Sequence, residues 1–423
     1  MEVVVINKSI GELIHDTRCS QNITLTQLSE LSGINKGNLS RIEKGDIIRP
    51  EFQTVLQLTE ALKIPFEIMA EYYVESEYRS DHLMPVFEEV LKQGSGVDLI
   101  RKVAEKYLES NGDSFELTDN LFQIAHSIED NSIKLSLYDL VIDYSRLHGI
   151  MPFIAKGLFR KYMIERYDFS KLKDSYYSGR YILNYVNFLP RDQQIELYYR
   201  LGIQAFNIRL YNESITHCKG VLKYDGENHH RINAISVLRD ACFKAGEFTE
   251  SELYSLQYKQ FNYPHTRENI ILMDALFSVR KGNIGQAIEE LTALLENCNH
   301  DYALSATNQL LQIYLQQGDL EKAGTIINNC RADSSLISNP SVQDEYAEFL
   351  SFQGEYYLAV GDYEKSITCM LEGALHYSKI IDTVKEKECL SRVMQIQLGH
   401  SIPSQSTFEK LNTYFTNEKE VEG

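Results

Sequence analysis

One layout recurs five times in the second half of the chain, and it limits the fold more than any other feature. In FQGEYYLAVGDYEKSITCMLEGAL, Gly361 is flanked by Gly354, Tyr357, Tyr363, Ser366 and Met370. Gly318 has Leu311, Tyr314, Leu320, Ala323 and Ile327 in the same order, and Gly282 has Ala275, Ser278, Ile284, Ala287 and Leu291. Gly246 follows with Cys242, Phe248 and Ser251, and Arg209 with Gly202, Ala205, Tyr211, Ser214 and Cys218. These anchors lie about 36 to 43 residues apart. Small residues at matching places let two helices of a hairpin cross closely, and large apolar ones fill the gaps between neighbouring hairpins. With only 8 prolines in 423 residues and amphipathic stretches of about 12 to 16 residues between polar turns, the chain is expected to be all-α.

The first seventy residues have a different texture. In IGELIHDTRCSQNITLTQLSELSGINKGNLSRIEKGDIIRPEFQTVLQLTEALKI, Ile10, Leu13 and Ile14 make one helical stripe. Thr24 followed by Gln27 is a capping-box signature, so a second helix is expected from about Leu25 to Ser32. Gly33 supplies a tight turn and Asn35 a cap for a third helix through Leu39 and Ile42, which Gly45 ends. Pro50 resets the chain before a fourth helix at about Phe52 to Leu62. Helix, short glycine turn and helix inside a small bundle is the arrangement that places its second helix in the major groove of DNA.

This segment resembles the Xre/Cro/CI-type helix-turn-helix family, through Gly11, Arg18, Thr24, Leu28, Gly33, Leu39, Ser40, Ile42, Glu43, Gly45 and Pro50. The resemblance implies that Lys36, Gly37, Asn38, Ser40 and Arg41 face the groove, with Lys44 beside them. Arg41 and Lys36 are the candidate readers of guanine and Asn38 of adenine or phosphate. Lys44 and Arg49 read equally well as solvated charge. Leu25 stands where the family often has a phosphate-binding glutamine, so the resemblance does not carry that contact over to this position.

Charge has to be reconciled with such a role. The formal net charge is −18, which opposes non-specific binding to a polyanion. The first 70 residues hold seven Lys/Arg against nine Asp/Glu, so most of the excess lies downstream. DNA contact must therefore be local, made by a few basic side chains on one face. Seven cysteines are scattered singly without a CxxC pair, which predicts reduced thiols rather than disulfides or a zinc ribbon. No run suits a membrane span or a signal h-region. A cytoplasmic protein with no membrane association is expected.

The expected organisation is a DNA-binding head over 1–70, a linker helix over 71–96 ending at Gly94-Ser95-Gly96, and repeats over 97–423. The repeats resemble the tetratricopeptide repeat, which implies a right-handed superhelix with a concave inner face. On the first helix of each hairpin, the face turned away from the packing residues selects Tyr199, Asn207, Asn233, Asn269, Asn308, Gln312 and Glu355 as groove candidates. Asn184 and Asn187 are added from a more degenerate stretch. An asparagine offers both a donor and an acceptor to the main chain of an extended peptide. The same residues also read as ordinary polar positions on a wet helix face.

No GxxxxGK[ST], HExxH, GxSxG or GxGxxG motif occurs, and neither His229-His230 nor His217-Cys218 is spaced to chelate an ion. No enzymatic activity, metal or cofactor is expected. A reader head joined to such repeats resembles the RRNPP family of peptide-pheromone receptors, in its NprR-like or AimR-like branch. That resemblance implies a homodimeric transcription regulator whose repeats bind a short signalling peptide and thereby alter binding to a double-stranded DNA operator. The alternative is a repeat protein that chiefly grips a protein partner such as a response regulator, as Rap-like relatives do.

Overall fold

A computed structural model describes residues 8–224, 229–261, 264–297, 300–330, 339–400 and 404–422. Among these residues there is no strand; one isolated bridge pairs Arg79 with Asn111. The protein is all-α, with helices α1 (Ile10–Ser20), α2 (Leu25–Ser32), α3 (Lys36–Glu43), α4 (Phe52–Ala61), α5 (Phe66–Ser76), α6 (Ser80–Lys92), α7 (Val97–Leu108), α8 (Ser114–Ser127), α9 (Asn131–His148) and α10 (Met151–Glu165). They continue with α11 (Leu172–Tyr181), α12 (Arg191–Asn207), α13 (Tyr211–Leu222), α14 (His229–Ala245), α15 (Phe248–Tyr258), α16 (Pro264–Arg280), α17 (Ile284–Asn297) and α18 (His300–Gln317). The last five are α19 (Leu320–Asn329), α20 (Pro340–Ala359), α21 (Tyr363–Lys379), α22 (Thr383–Gly399) and α23 (Ser404–Glu422). Two compact units result, one of residues 1–164 with 182–189, the other of 165–181 with 190–423.

In the first unit the caps behave as their residue types require. Thr24 Oγ1 accepts from the Gln27 amide while Gln27 reaches back to the Thr24 amide, closing the box at the start of α2. Gly33 takes a φ of 73° at its end, a left-handed conformation that glycine adopts without steric cost. Asn35 Oδ1 accepts from the Gly37 amide at 2.7 Å and starts α3. Ser9 and Glu12 make a second capping box ahead of α1, one that the sequence reading did not single out.

The expected linker over 71–96 is not a linker. It holds the end of α5 and all of α6, and Tyr73, Val74, Leu83, Val86, Phe87 and Val90 are buried in the same apolar cluster as Ile10, Leu28 and Leu39. That cluster runs on to Phe153. A run amphipathic enough to be an exposed connecting helix is amphipathic enough to pack, and here it does. Nor does Gly94-Ser95-Gly96 separate units; it is only the turn between α6 and α7.

The second unit shows what the recurring anchors are. Gly246, Gly282, Gly318 and Gly361 have φ between 72° and 85°, and Arg209 has 61°; each ends the first helix of a hairpin. The hairpins are α12/α13, α14/α15, α16/α17, α18/α19 and α20/α21, followed by α22/α23. Where the second helix carries serine at the small position, its hydroxyl donates to a carbonyl of the first helix. Ser214 bonds Gly202 O at 2.8 Å, Ser251 bonds Arg239 O at 2.9 Å, and Ser366 bonds Gly354 O at 2.8 Å. A buried hydroxyl so satisfied costs little and fixes the crossing point of the two helices.

Candidate functional site

The geometry of α3 depends on how it is held from behind. Leu39 and Ile42 are buried. Arg18 on α1 donates from Nε and Nη2 to both Glu43 carboxylate oxygens at 2.7 Å, and from Nη1 to the Ile23 carbonyl at 2.9 Å. These side chains retain 13% and 5% of their exposure, so Arg18 is a strut of the fold and not a phosphate contact. Removing one partner of such a pair costs about 3–5 kcal/mol. Between the helices sits Gly11, where an added Cβ would lie 2.2 Å from the Ile42 carbonyl oxygen. Gly11→Ala must therefore push α1 off α3; a loss of about 1–3 kcal/mol is expected, visible as a lowered melting temperature together with lost DNA binding.

On the outer side of α3, Lys36, Gly37, Asn38 and Arg41 are exposed, Ser40 is partly buried, and Lys44 is exposed just past the helix end. Lys36 Nζ donates to Thr26 Oγ1 at 3.0 Å. Among the described residues no carboxylate pairs with Lys36, Arg41 or Lys44. The six candidates thus form one face with uncompensated positive charge, while Arg49 lies over the Tyr78 ring at 3.6 Å and donates to the Ser76 carbonyl. Arg49 is structural.

The groove candidates of the second unit scatter. Tyr199 is buried among Ile195, Ile215 and Leu238 and stacks at a tilt on His230, so it is part of the hairpin core. Asn308 is fully buried, its amide donating to the Glu345 backbone and carboxylate at 2.8 and 2.9 Å. Glu355 is taken by Arg392 in a bidentate pair at 2.7 Å, and Asn233 is bonded to His229 at 3.0 Å. Gln312 is exposed, outside the cavity lining. Asn184 and Asn187 belong with the first unit, in a 3-10 turn over 182–188. Asn269 alone of the candidates lines a cavity, and there it also accepts from Arg239.

That cavity has a volume of about 800 Å³ and is walled by the first helices α12, α14, α16, α18 and α20, with Leu295 of α17 and Ile326 of α19 added from second helices. Leu272, Met273, Leu276 and Leu304 give it apolar surface; Asp240, Lys244, Glu345 and Glu348 give it charge. Arg239, fully buried, ties down both Asp240 at 2.7 Å and Asn269 at 2.5 Å. The first hairpin returns to meet the fifth and sixth at the cavity's edge. Arg209 donates to Asp344 at 2.6 Å, to Asp382 and to Tyr211, and Ser341 donates to Asn207 at 3.0 Å. Phe206 and Ser341 themselves line the cavity. Neither Arg209 nor Glu345 was among the sequence candidates. Arg209 carried a signal, since it stands where the other four turns have glycine.

Residues 14–69 match the family described as Helix-turn-helix. The N-terminal helices form a helix-turn-helix domain. Over 60 residues the chain is 40% identical to the HTH-type transcriptional repressor RghR of Bacillus subtilis (strain 168), which is 14% of this chain and 44% of that protein; the chain thus spans less than half the length of that curated relative. The chain can also be overlaid on solved helical structures. A Rap protein complexed with competence and sporulation factor gives a TM-score of 0.39 at 10% identity, over 82% of this chain and 98% of that one. A structure titled phAimR gives 0.37 at 14%, over 92% and 99%. Likenesses this loose carry no functional weight. No described helix is long and apolar enough to cross a membrane, and no metal-ligating cluster occurs among the described residues.

Proposed function

We propose that this chain is a peptide-responsive, DNA-binding transcription regulator of the RRNPP type, acting as a cytoplasmic homodimer without catalytic chemistry of its own. The observation that carries the reading is the pairing in one polypeptide of an α3 face with unpaired basic side chains and a hairpin array around a cavity of about 800 Å³. The cavity falls in the usual range for a pocket that takes a small ligand, about 300–1,000 Å³. The matched helix-turn-helix domain supports the DNA half, and the cavity among the hairpins supports the peptide half. A dimer would read two half-sites at fixed spacing, so small changes in the array would alter operator affinity. A peptide that binds one conformer better by about 1–3 kcal/mol changes that affinity about 5- to 150-fold.

Footprinting of the full chain on the DNA flanking its own gene tests this, with and without peptides synthesised from small secreted precursors encoded nearby. A protected two-fold site whose occupancy responds to one peptide is the expected result. Protection that ignores every peptide, with a response regulator co-purifying in stoichiometric amount, would move the repeats to the protein-partner role.

A further inference from the structure

The cavity of the second unit has an electrostatic imbalance that bears on what fills it. Asp240, Glu296, Glu345 and Glu348 bring carboxylates to its wall, whereas Lys244 is the sole cation among its described lining residues. Two carboxylates are already matched, Asp240 by Arg239 at 2.7 Å and Glu348 by Lys385 at 2.9 Å. Glu345 is not. Its carboxylate accepts from Asn308 Nδ2 at 2.9 Å, and no described cation is in ion-pair reach. Asn308 behind it is fully buried, with its Oδ1 lacking any donor. A half-buried carboxylate on the cavity wall with no described cation beside it calls for a ligand that brings N–H donors.

We propose that Glu345 is the docking point for a cationic group of the peptide held in this cavity, a lysine or arginine side chain or a free N-terminal ammonium. The inference rests on the peptide-receptor reading and adds a specificity residue to it. Of the two lining carboxylates with no described cation, Glu296 on α17 is exposed and Glu345 on α20 is half-buried, which makes the α20 wall the place where a cation is best held. Burial first, then the neighbouring Glu348 and Asp344, raise the Glu345 carboxyl to about 7, while Asn308 and Lys244 oppose the rise. Lys385 from α22 neutralises Glu348 and Asp344 in part. A cation arriving at a carboxyl that is partly protonated must displace its proton. Affinity therefore falls up to tenfold per pH unit as the pH drops below about 7.

The test uses the full chain and pools of synthetic hexapeptides with one fixed position, carrying lysine or arginine in one set and norleucine or citrulline in the other. Calorimetry should show the basic pools binding at least tenfold more tightly, and Glu345→Gln should erase that preference. N-terminal acetylation separates the two sources of charge, since it abolishes binding only where the ammonium is the docked group. Equal binding of charged and uncharged pools, or a preference that survives Glu345→Gln, overturns the cation site but leaves peptide binding intact. Binding of no pool overturns the peptide reading as well. Should the variant fail to fold, calorimetry of the wild type in two buffers of different ionisation enthalpy decides. Proton release on binding the basic peptides is expected, and its absence removes Glu345 from the site.

Discussion

Replacing Arg41 by alanine should abolish sequence-specific DNA binding and leave the melting temperature where it was. The guanidinium is exposed and pairs with no carboxylate among the described residues, while packing of α3 is carried on its other side by Leu39 and Ile42. A bidentate arginine–guanine pair is worth about 1–3 kcal/mol, and a two-fold dimer makes it twice. The expected loss is thus about 2–6 kcal/mol on the specific site. Lys44→Ala, just past the end of α3, should differ in kind, weakening all sequences alike and reducing the salt slope by about one. Anisotropy titrations of specific and scrambled duplexes across a salt series separate the two. Undiminished discrimination by the Arg41 variant would mean that the outward face of α3 is not the reading face.

The second large effect concerns Arg209. Its backbone sits at a φ of 61°, a conformation that costs a side-chain-bearing residue about 1–2 kcal/mol. At the four equivalent turns glycine avoids that cost. What offsets it is the ion cluster. Asp382 keeps 4% of its side-chain exposure and already spends its other oxygen on the amide of Lys385. Arg209→Gly would relieve the backbone yet leave Asp382 buried without its cation, a penalty of about 3–5 kcal/mol. A net loss of about 1–4 kcal/mol is expected from these two. Hydrogen exchange should quicken at the ends of α12 and α20, where Asn207 and Ser341 meet, before it does so elsewhere. If the variant is as stable as the parent with unchanged exchange, the cluster does not hold the array closed.

Local features were readable from the residues because local chemistry causes them. Thr24 with Gln27, Gly33 and Asn35 gave the limits of α2 and α3, and the anchors from Arg209 to Gly361 proved to be the left-handed turns of successive hairpins. The cavity wall was harder. Asn269 and Glu348 occupy corresponding places relative to Gly282 and Gly361, and both line it. Tyr199 and Asn308 share another place, closer to their turns, and both are buried. Choosing asparagines by type mixed these two faces of the same helix. Glu345 was hidden for a further reason: in a chain with 60 acidic residues, no single glutamate stands out until its partners are known. Pairs such as Arg209 with Asp382 lie far beyond the reach of helical periodicity.

The same physics bears on how the reader head could be handled as a part. From Ile10 to Phe153 one buried apolar layer continues without a break, so the residues that present α3 share their interior with helices as distant as α9 and α10. A fragment cut after residue 70 would strip cover from Leu58, Leu62 and Met69 and should aggregate or melt early. Grafting this head onto a foreign receptor would need the chain to about residue 189, and a chimera joined there should keep its operator preference.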